Sequence, residues 1–138
     1  MKKILILCTG NSCRSQMAEG WMRHYAGEKA IAMSAGIETH GLNPMAVSTM
    51  KNAGIDISKH QSDLVEKYSD VVLDFIITVC DHAKESCPYI PSNAKRLHQA
   101  FSDPSKLEGN QKEIDAAFSK TCEEIRLYCE SFVQEHLY

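Results

Sequence analysis

Apolar runs of strand length alternate with helical stripes along this chain, the pattern of a three-layer α/β domain: a four-stranded, mainly parallel sheet with helices on both faces. Three observations carry that reading. Ile4-Leu5-Ile6-Leu7 is a continuous apolar, partly β-branched run that ends at a cysteine and a turn-forming loop. A second run, Asp74-Phe75-Ile76-Ile77-Thr78-Val79, also ends at a cysteine, Cys80. Between and after them lie segments whose apolar residues fall three and four apart, the spacing of one helix face.

The elements follow in order. Residues 4–7, apolar throughout, suit a strand covered on both faces at the centre of a parallel sheet. Thr9-Gly10-Asn11-Ser12 is turn-forming, and Ser15 to Glu28 then reads as a helix, with Met17, Ala18, Trp21, Met22 and Tyr25 on its buried face. Ala30 to Ala35 is a second strand closed by Gly36. Asn43-Pro44 opens a short helix through Met45, Val47, Met50 and Ala53, with proline tolerated in its first turn and Gly54 stopping it. The run at 74–79 is the third strand and Ala94 to His98 a weaker fourth. From Gln111 to Leu137, Ile114, Ala117, Phe118, Cys122, Ile125, Cys129, Phe132 and Val133 form one stripe, predicting a long amphipathic closing helix.

The 138 residues, 43% hydrophobic and 24% charged, carry no linker, repeat or low-complexity tract, so one domain is expected over 1–138. A chain of this size buries roughly 68% of its unfolded surface, enough for a core without disulfide staples or a structural metal. Its six cysteines therefore need another explanation. A net charge of −3 gives no general attraction for nucleic acid or an anionic membrane, so an anionic ligand needs a local site. The apolar stretch after Lys2-Lys3 is too short for a signal peptide or a membrane span, which predicts a cytoplasmic protein. There, permanent disulfides are disfavoured, and cysteines serve as small core residues or active thiols.

The strongest chemical feature is Cys8-Thr9-Gly10-Asn11-Ser12-Cys13-Arg14-Ser15, a cysteine at a strand end, five residues, an arginine, then a hydroxyl opening a helix. A loop wrapping back at a helix N-terminus aims successive backbone N–H groups at one point and makes an anion-binding concavity. Gly10 and Asn11 suit the left-handed backbone such a loop needs. Thr9 to Arg14 are thus the predicted substrate-binding segment, with Arg14 a planar fork for two oxygens of a tetrahedral oxyanion. The same positive surroundings are expected to lower the Cys8 pKa, with Ser15 donating its hydroxyl to the thiolate. Cys13 reads as loop packing, and Cys122 and Cys129 as core residues of the last helix.

This loop resembles that of the low-molecular-weight protein tyrosine phosphatase superfamily, and the wider stretch through Gln16-Met17-Ala18-Glu19-Gly20-Trp21 is similar to its thioredoxin-coupled arsenate reductase branch. The likeness continues through Ser34-Ala35-Gly36-Ile37-Glu38-Thr39-His40-Gly41-Leu42-Asn43-Pro44, Gly54 to Ser58, Ser62-Asp63-Leu64, Cys80 to Cys87-Pro88, and Asp103-Pro104. It implies the phosphatase-like fold, arsenate as substrate and Asp103 as general acid. Such a proton donor is worth typically about 10²–10⁴-fold when a poor leaving group is expelled. Alone, an Asp-Pro pair reads as a turn.

Two further thiols separate a reductase from a phosphatase, whose cycle needs only Cys8, Arg14 and Asp103. Under the resemblance, Cys8 bonds arsenic, Cys80 attacks the Cys8 sulfur, and Cys87 then attacks Cys80. Thioredoxin reduces the resulting Cys80–Cys87 disulfide. Bridged Cα atoms lie within about 7 Å, so the segment from Cys80 to Pro88 is expected to move during turnover. A metal site of Cys80, His82 and Cys87 is the competing reading, weakened by the lack of a second closely spaced ligand pair.

Some relatives hold a potassium ion near the loop, and the matching positions, Asn11, Glu19, Ser34 and Asp63, all bear oxygen. A hydrogen-bond network without an ion is the alternative. Arg96-Leu97-His98-Gln99-Ala100-Phe101-Ser102-Asp103-Pro104 departs from the reductase pattern of a His-Trp pair and two aspartates before the proline. Ser105-Lys106 then follows where phosphatases place substrate-binding aromatics. His24, His40, His60 and His136 show no consistent spacing and are expected mostly at the surface, and Trp21 in the core. Together these readings predict a monomeric, cytoplasmic arsenate reductase. A tyrosine phosphatase and a non-catalytic oxyanion-binding or redox-sensing module are the alternatives.

Overall fold

The computed structural model describes residues 1–81, 83 and 93–138. Cys87, His82 and most of the segment expected to move therefore lie outside the described residues. Four strands form one sheet: β1 (Lys2–Cys8), β2 (Ala30–Gly36), β3 (Phe75–Thr78) and β4 (Lys95–His98). Their order is β2-β1-β3-β4, and every pairing is parallel. Among the described residues, the helices α1 (Arg14–Ala26), α2 (Pro44–Asn52) and α3 (Gln111–His136) accompany them.

Ile4, Leu5, Ile6 and Leu7 are each at most 1% exposed, although alternate residues face opposite sides of the sheet. Both faces of β1 are therefore covered, which is why its sequence is apolar without alternation. Burying each of these side chains contributes roughly 1.5–3 kcal/mol before entropy is counted. Helices α1 and α3 pack against each other, and α2 against both. Phe118, Ile125, Phe132 and Val133 of α3 are buried, as its stripe predicts.

The element ends follow local chemistry. Asn43 accepts from the Met45 and Ala46 N–H groups to open α2, and Asn110 accepts from Glu113 N–H to open α3. Helix α1 begins one residue earlier than the sequence predicts and stops at Ala26, because Gly27 turns out at φ +54 and Glu28 falls in a 3-10 turn. Strand β3 is shorter than the apolar run, yet Val79 still donates to the Leu7 carbonyl, so the chain stays beside β1 as far as Cys80.

This topology places the chemistry. The connections from the central pair β1–β3 lead to opposite edges, making the carboxyl ends of β1 and β3 the switch point where open α/β sheets bind ligands. Leu7 is in register with Thr78, so Cys8 and Cys80 leave the sheet side by side.

Candidate active site

The loop from Cys8 to Arg14 is held from outside by its own carbonyls. The Thr9 carbonyl accepts from Glu38 N–H, Gly10 from His40 N–H and the Ser62 hydroxyl, Asn11 from the Gln16 side chain, and Ser12 from Asn43 N–H. In a trans peptide the following N–H points opposite to its carbonyl. The amides of residues 10–13 are thereby turned away from the bracing segments, toward the cavity at Cys8. That cavity, about 150 Å³, is bordered by Cys8, Thr9, Gly10, Ser12, Cys13, Arg14, His40, Asp103, Ser105 and Lys106.

Asn11 holds the loop's shape. It is fully buried and, among the described residues, the only non-glycine with positive φ, +47. Its Nδ2 donates to Ser15 Oγ at 2.9 Å and Ser34 Oγ at 3.0 Å, and its Oδ1 accepts from Asp63 N–H at 2.8 Å. Gly36 packs directly behind: a Cβ there would sit 2.8 Å from both Asn11 N and Thr9 O.

Arg14 donates through Nη1 to the Phe101 carbonyl at 3.0 Å and through Nη2 to Asp103 Oδ2 at 3.4 Å, while its buried Nε has no hydrogen-bond partner among the described residues. Asp103 Oδ1 accepts from the Ser105 hydroxyl at 2.6 Å and from Ser105 N–H at 3.0 Å. Arginine and carboxylate thus border the cavity together. The altered residues before Asp103 keep this approach because Phe101 N–H donates to the Val79 carbonyl.

The thiols differ from the sequence expectation. Cys8 and Cys80 leave β1 and β3 as neighbours, and both are at most 4% exposed. Interaction with the Cys80 sulfur, then burial, pushes the Cys8 thiol up, although Arg14 and the Thr9 N–H pull it down. Cys80 is instead lowered to about 5, first by the neighbouring Cys8 thiol, with further donors from Thr9 Oγ1 at 3.3 Å and Ala83 N–H at 3.4 Å. The resting pair therefore shares one proton between two neighbouring sulfurs. The loop sequence alone gives no sign that Cys80 is a direct neighbour. Burial raises the Cys13 thiol to about 12. Among the described residues, the partner of Ser15 Oγ is Asn11, not Cys8.

The four residues matched to a potassium site are linked by hydrogen bonds in this arrangement. Asn11 turns its amide nitrogen, not its oxygen, to Ser34, and Ser34 Oγ donates to Glu19 Oε1 at 2.8 Å. Glu19 Oε2 pairs with Arg23 and His60, and the Asp63 carboxylate with Lys67. These oxygens are engaged by hydrogen-bond donors. Among the described residues no cluster of three His, Cys, Asp or Glu side chains could hold a metal ion.

Two histidines depart from the expected surface placement. The His60 side chain is 10% exposed and sits between Gln16 Oε1 at 3.1 Å and Glu19 Oε2 at 3.2 Å, bracing the loop from behind. His136 packs on Phe75 and Phe132. The His60 contacts join elements distant in sequence and carry no spacing signal, whereas His136 stands four residues after Phe132 and extends the apolar stripe of α3. Trp21, Cys122 and Cys129 are core residues as predicted, with Trp21 Nε1 donating to Cys122 Sγ at 3.4 Å.

A nucleophile, an arginine and an acid around a loop of inward amides is the arrangement of a phosphatase-type oxyanion site, and residues 3–137 match the low molecular weight phosphotyrosine protein phosphatase family. The chain belongs to that family. Within it, the chain is 47% identical over 133 residues to an arsenate reductase of Halalkalibacterium halodurans, covering 96% of each chain. It is 48% identical over 126 residues to an arsenate reductase of Bacillus subtilis, covering 90% of this chain and 89% of that one. Among solved structures, one described as an arsenate reductase in oxidized state superposes with a TM-score of 0.82 at 26% identity over 98% of both chains. No described helix is long and apolar enough to cross a membrane.

Proposed function

We propose that this protein reduces arsenate to arsenite through a thiol relay re-reduced by thioredoxin. One observation carries the reading beyond the family: a second thiol, Cys80, stands beside Cys8 at the oxyanion loop, its sulfur 3.3 Å from Thr9 Oγ1, which a hydrolytic cycle does not need. The relatives named arsenate reductases support the same choice.

Arsenate enters the cavity and is held by the loop amides of residues 10–13 and by Arg14, whose guanidinium leaves Phe101 and Asp103 for the oxyanion. Entry of the anion separates Cys80 from Cys8. Cys8 then loses the interaction that raises it most, while Arg14 and the Thr9 N–H continue to favour its thiolate. Its sulfur attacks arsenic, and Asp103 protonates the departing oxygen, which leaves as water.

Cys80 next attacks the Cys8 sulfur. The S–S bond forms as the S–As bond breaks, the bonding pair stays on arsenic, and arsenic(V) leaves as arsenite, arsenic(III). Two thiols have been oxidised and one arsenate reduced. Cys87 attacks Cys80 and frees Cys8, and thioredoxin reduces the Cys80–Cys87 disulfide. Ser15 serves this cycle through Asn11, by holding the loop. The protein acts as a monomer, and weak phosphomonoester hydrolysis accompanies it because the loop does not distinguish phosphate from arsenate by shape.

The test supplies arsenate, thioredoxin, thioredoxin reductase and NADPH and follows NADPH loss. Wild type turns over repeatedly, and Cys80→Ser and Cys87→Ser stop after at most one turnover. Sustained turnover by Cys87→Ser would remove the relay, and vigorous phosphomonoester cleavage without arsenate turnover would make the protein a phosphatase.

A further inference from the structure

We propose that His98 is a positioning residue for Cys80, holding its thiol at Cys8 by tying down the chain on both sides of it. The inference rests on the relay above. His98 ends β4 and stands in register with Thr78, the last residue of β3. Its Nδ1 lies 2.7 Å from Thr78 Oγ1 and its Nε2 lies 2.8 Å from Asp81 Oδ1. Thr78 is two residues before Cys80, and Asp81 directly follows it. One imidazole therefore staples the two flanks of the relay thiol to the same point on the neighbouring strand.

The hydrogen bonding is complementary without a charge on the ring. With Nε2 protonated, Nε2–H donates to the Asp81 carboxylate, and the Thr78 hydroxyl donates to Nδ1. Before Cys80 the backbone is fixed independently: Val79 N–H donates to Leu7 O, Gln99 N–H to Thr78 O and Phe101 N–H to Val79 O. After Cys80, Asp81 has a side chain 77% exposed and is drawn back to the sheet by His98. Between these anchors the Cys80 sulfur is aimed at Cys8 and Thr9 Oγ1.

What such a staple sets is the effective concentration of Cys80 at Cys8, and hence both the equilibrium and the rate of forming that disulfide, not the binding of the oxyanion. His98 touches neither the loop nor the cavity lining, whereas Arg14 and the loop residues do.

The experiment uses full-length Cys87→Ser protein, in which an 8–80 linkage accumulates, alone and with His98→Ala, His98→Gln or Asp81→Ala added. Each is equilibrated in reduced and oxidised dithiothreitol without arsenate, alkylated, and the linkage quantified by peptide mass. His98→Ala is expected to lower the equilibrium constant for the disulfide about tenfold and Asp81→Ala about fivefold, the scale of one lost hydrogen bond. His98→Gln, whose amide donates to Asp81 and accepts from Thr78, stays within about twofold of the parent. In a single turnover with arsenate, His98→Ala slows linkage by the same factor, while the half-saturating arsenate concentration moves less than about twofold.

An unchanged equilibrium in both His98→Ala and Asp81→Ala overturns the proposal, as does a loss in His98→Gln equal to that in His98→Ala. Asp81 is exposed, so its variant keeps the test decisive if His98→Ala unfolds. A parent that forms the linkage in dithiothreitol but never with arsenate defeats the reductase reading instead, and the equilibrium comparison still judges His98.

Discussion

Replacing Asn11 by alanine tests the physical basis of the oxyanion loop. The substitution removes two buried donor bonds, to Ser15 and Ser34, and the acceptor bond from Asp63 N–H. At about 1 kcal/mol each these amount to roughly 3 kcal/mol. Alanine must also adopt φ +47, a conformation that costs about 1–2 kcal/mol and that asparagine accepts more readily. The expected loss is about 4 kcal/mol, read from urea unfolding midpoints at an unchanged slope. Asn11→Gly removes the same bonds without the backbone strain, so it is expected to be about 1 kcal/mol more stable than Asn11→Ala. A loss below about 1 kcal/mol in Asn11→Ala, or no gap between the variants, would refute the reasoning that side-chain bonds and a left-handed residue hold the loop.

Other consequences concern the charged groups and the packing behind the loop. Arg14→Lys keeps a positive charge but loses the planar fork, so sulfate or phosphate affinity by calorimetry is expected to fall at least about tenfold. Thiolate absorbance near 240 nm should show about one thiolate per molecule at pH 7, because Cys80 is held near 5 by the neighbouring Cys8 thiol. A depressed thiol carries its charge above its folded pKa and loses it as pH falls, so the signal should vanish through pH 5. It should move to higher pH in Cys80→Ser, and an unchanged signal there would place the charge on Cys8. Gly36→Ala drives a Cβ between the Asn11 nitrogen and the Thr9 carbonyl, both backbone atoms. It is expected to lower stability by about 1–3 kcal/mol and to weaken oxyanion binding together with it.

The elements with a periodic or apolar signature were legible in the sequence: the buried run of β1, the stripe of α3, helix α1 apart from its end at Gly27, and helix α2 with its Gly54 stop. The loop was legible too, because its cysteine, arginine and turn residues are adjacent in the chain. The charge distribution between thiols was not, since it depends on a contact between residues 8 and 80 that only the parallel pairing of β1 and β3 creates. The same holds for His60 behind the loop and His98 beside Cys80, whose partners lie on other elements. The 3-10 turn at Val65–Tyr68 is too short for a periodic signal. Cys87 lies beyond the described residues, so its place in the relay rests on chemistry and resemblance.

The most direct test mixes fully reduced protein with excess arsenate in the absence of any other reductant, quenches at intervals, and measures arsenite and disulfide-linked peptides in the same samples. One arsenite per chain is predicted, rising with an 8–80 linkage that gives way to an 80–87 linkage at the same stoichiometry. Arsenite without either linkage, or both thiols remaining free while arsenate stays bound, would contradict the account.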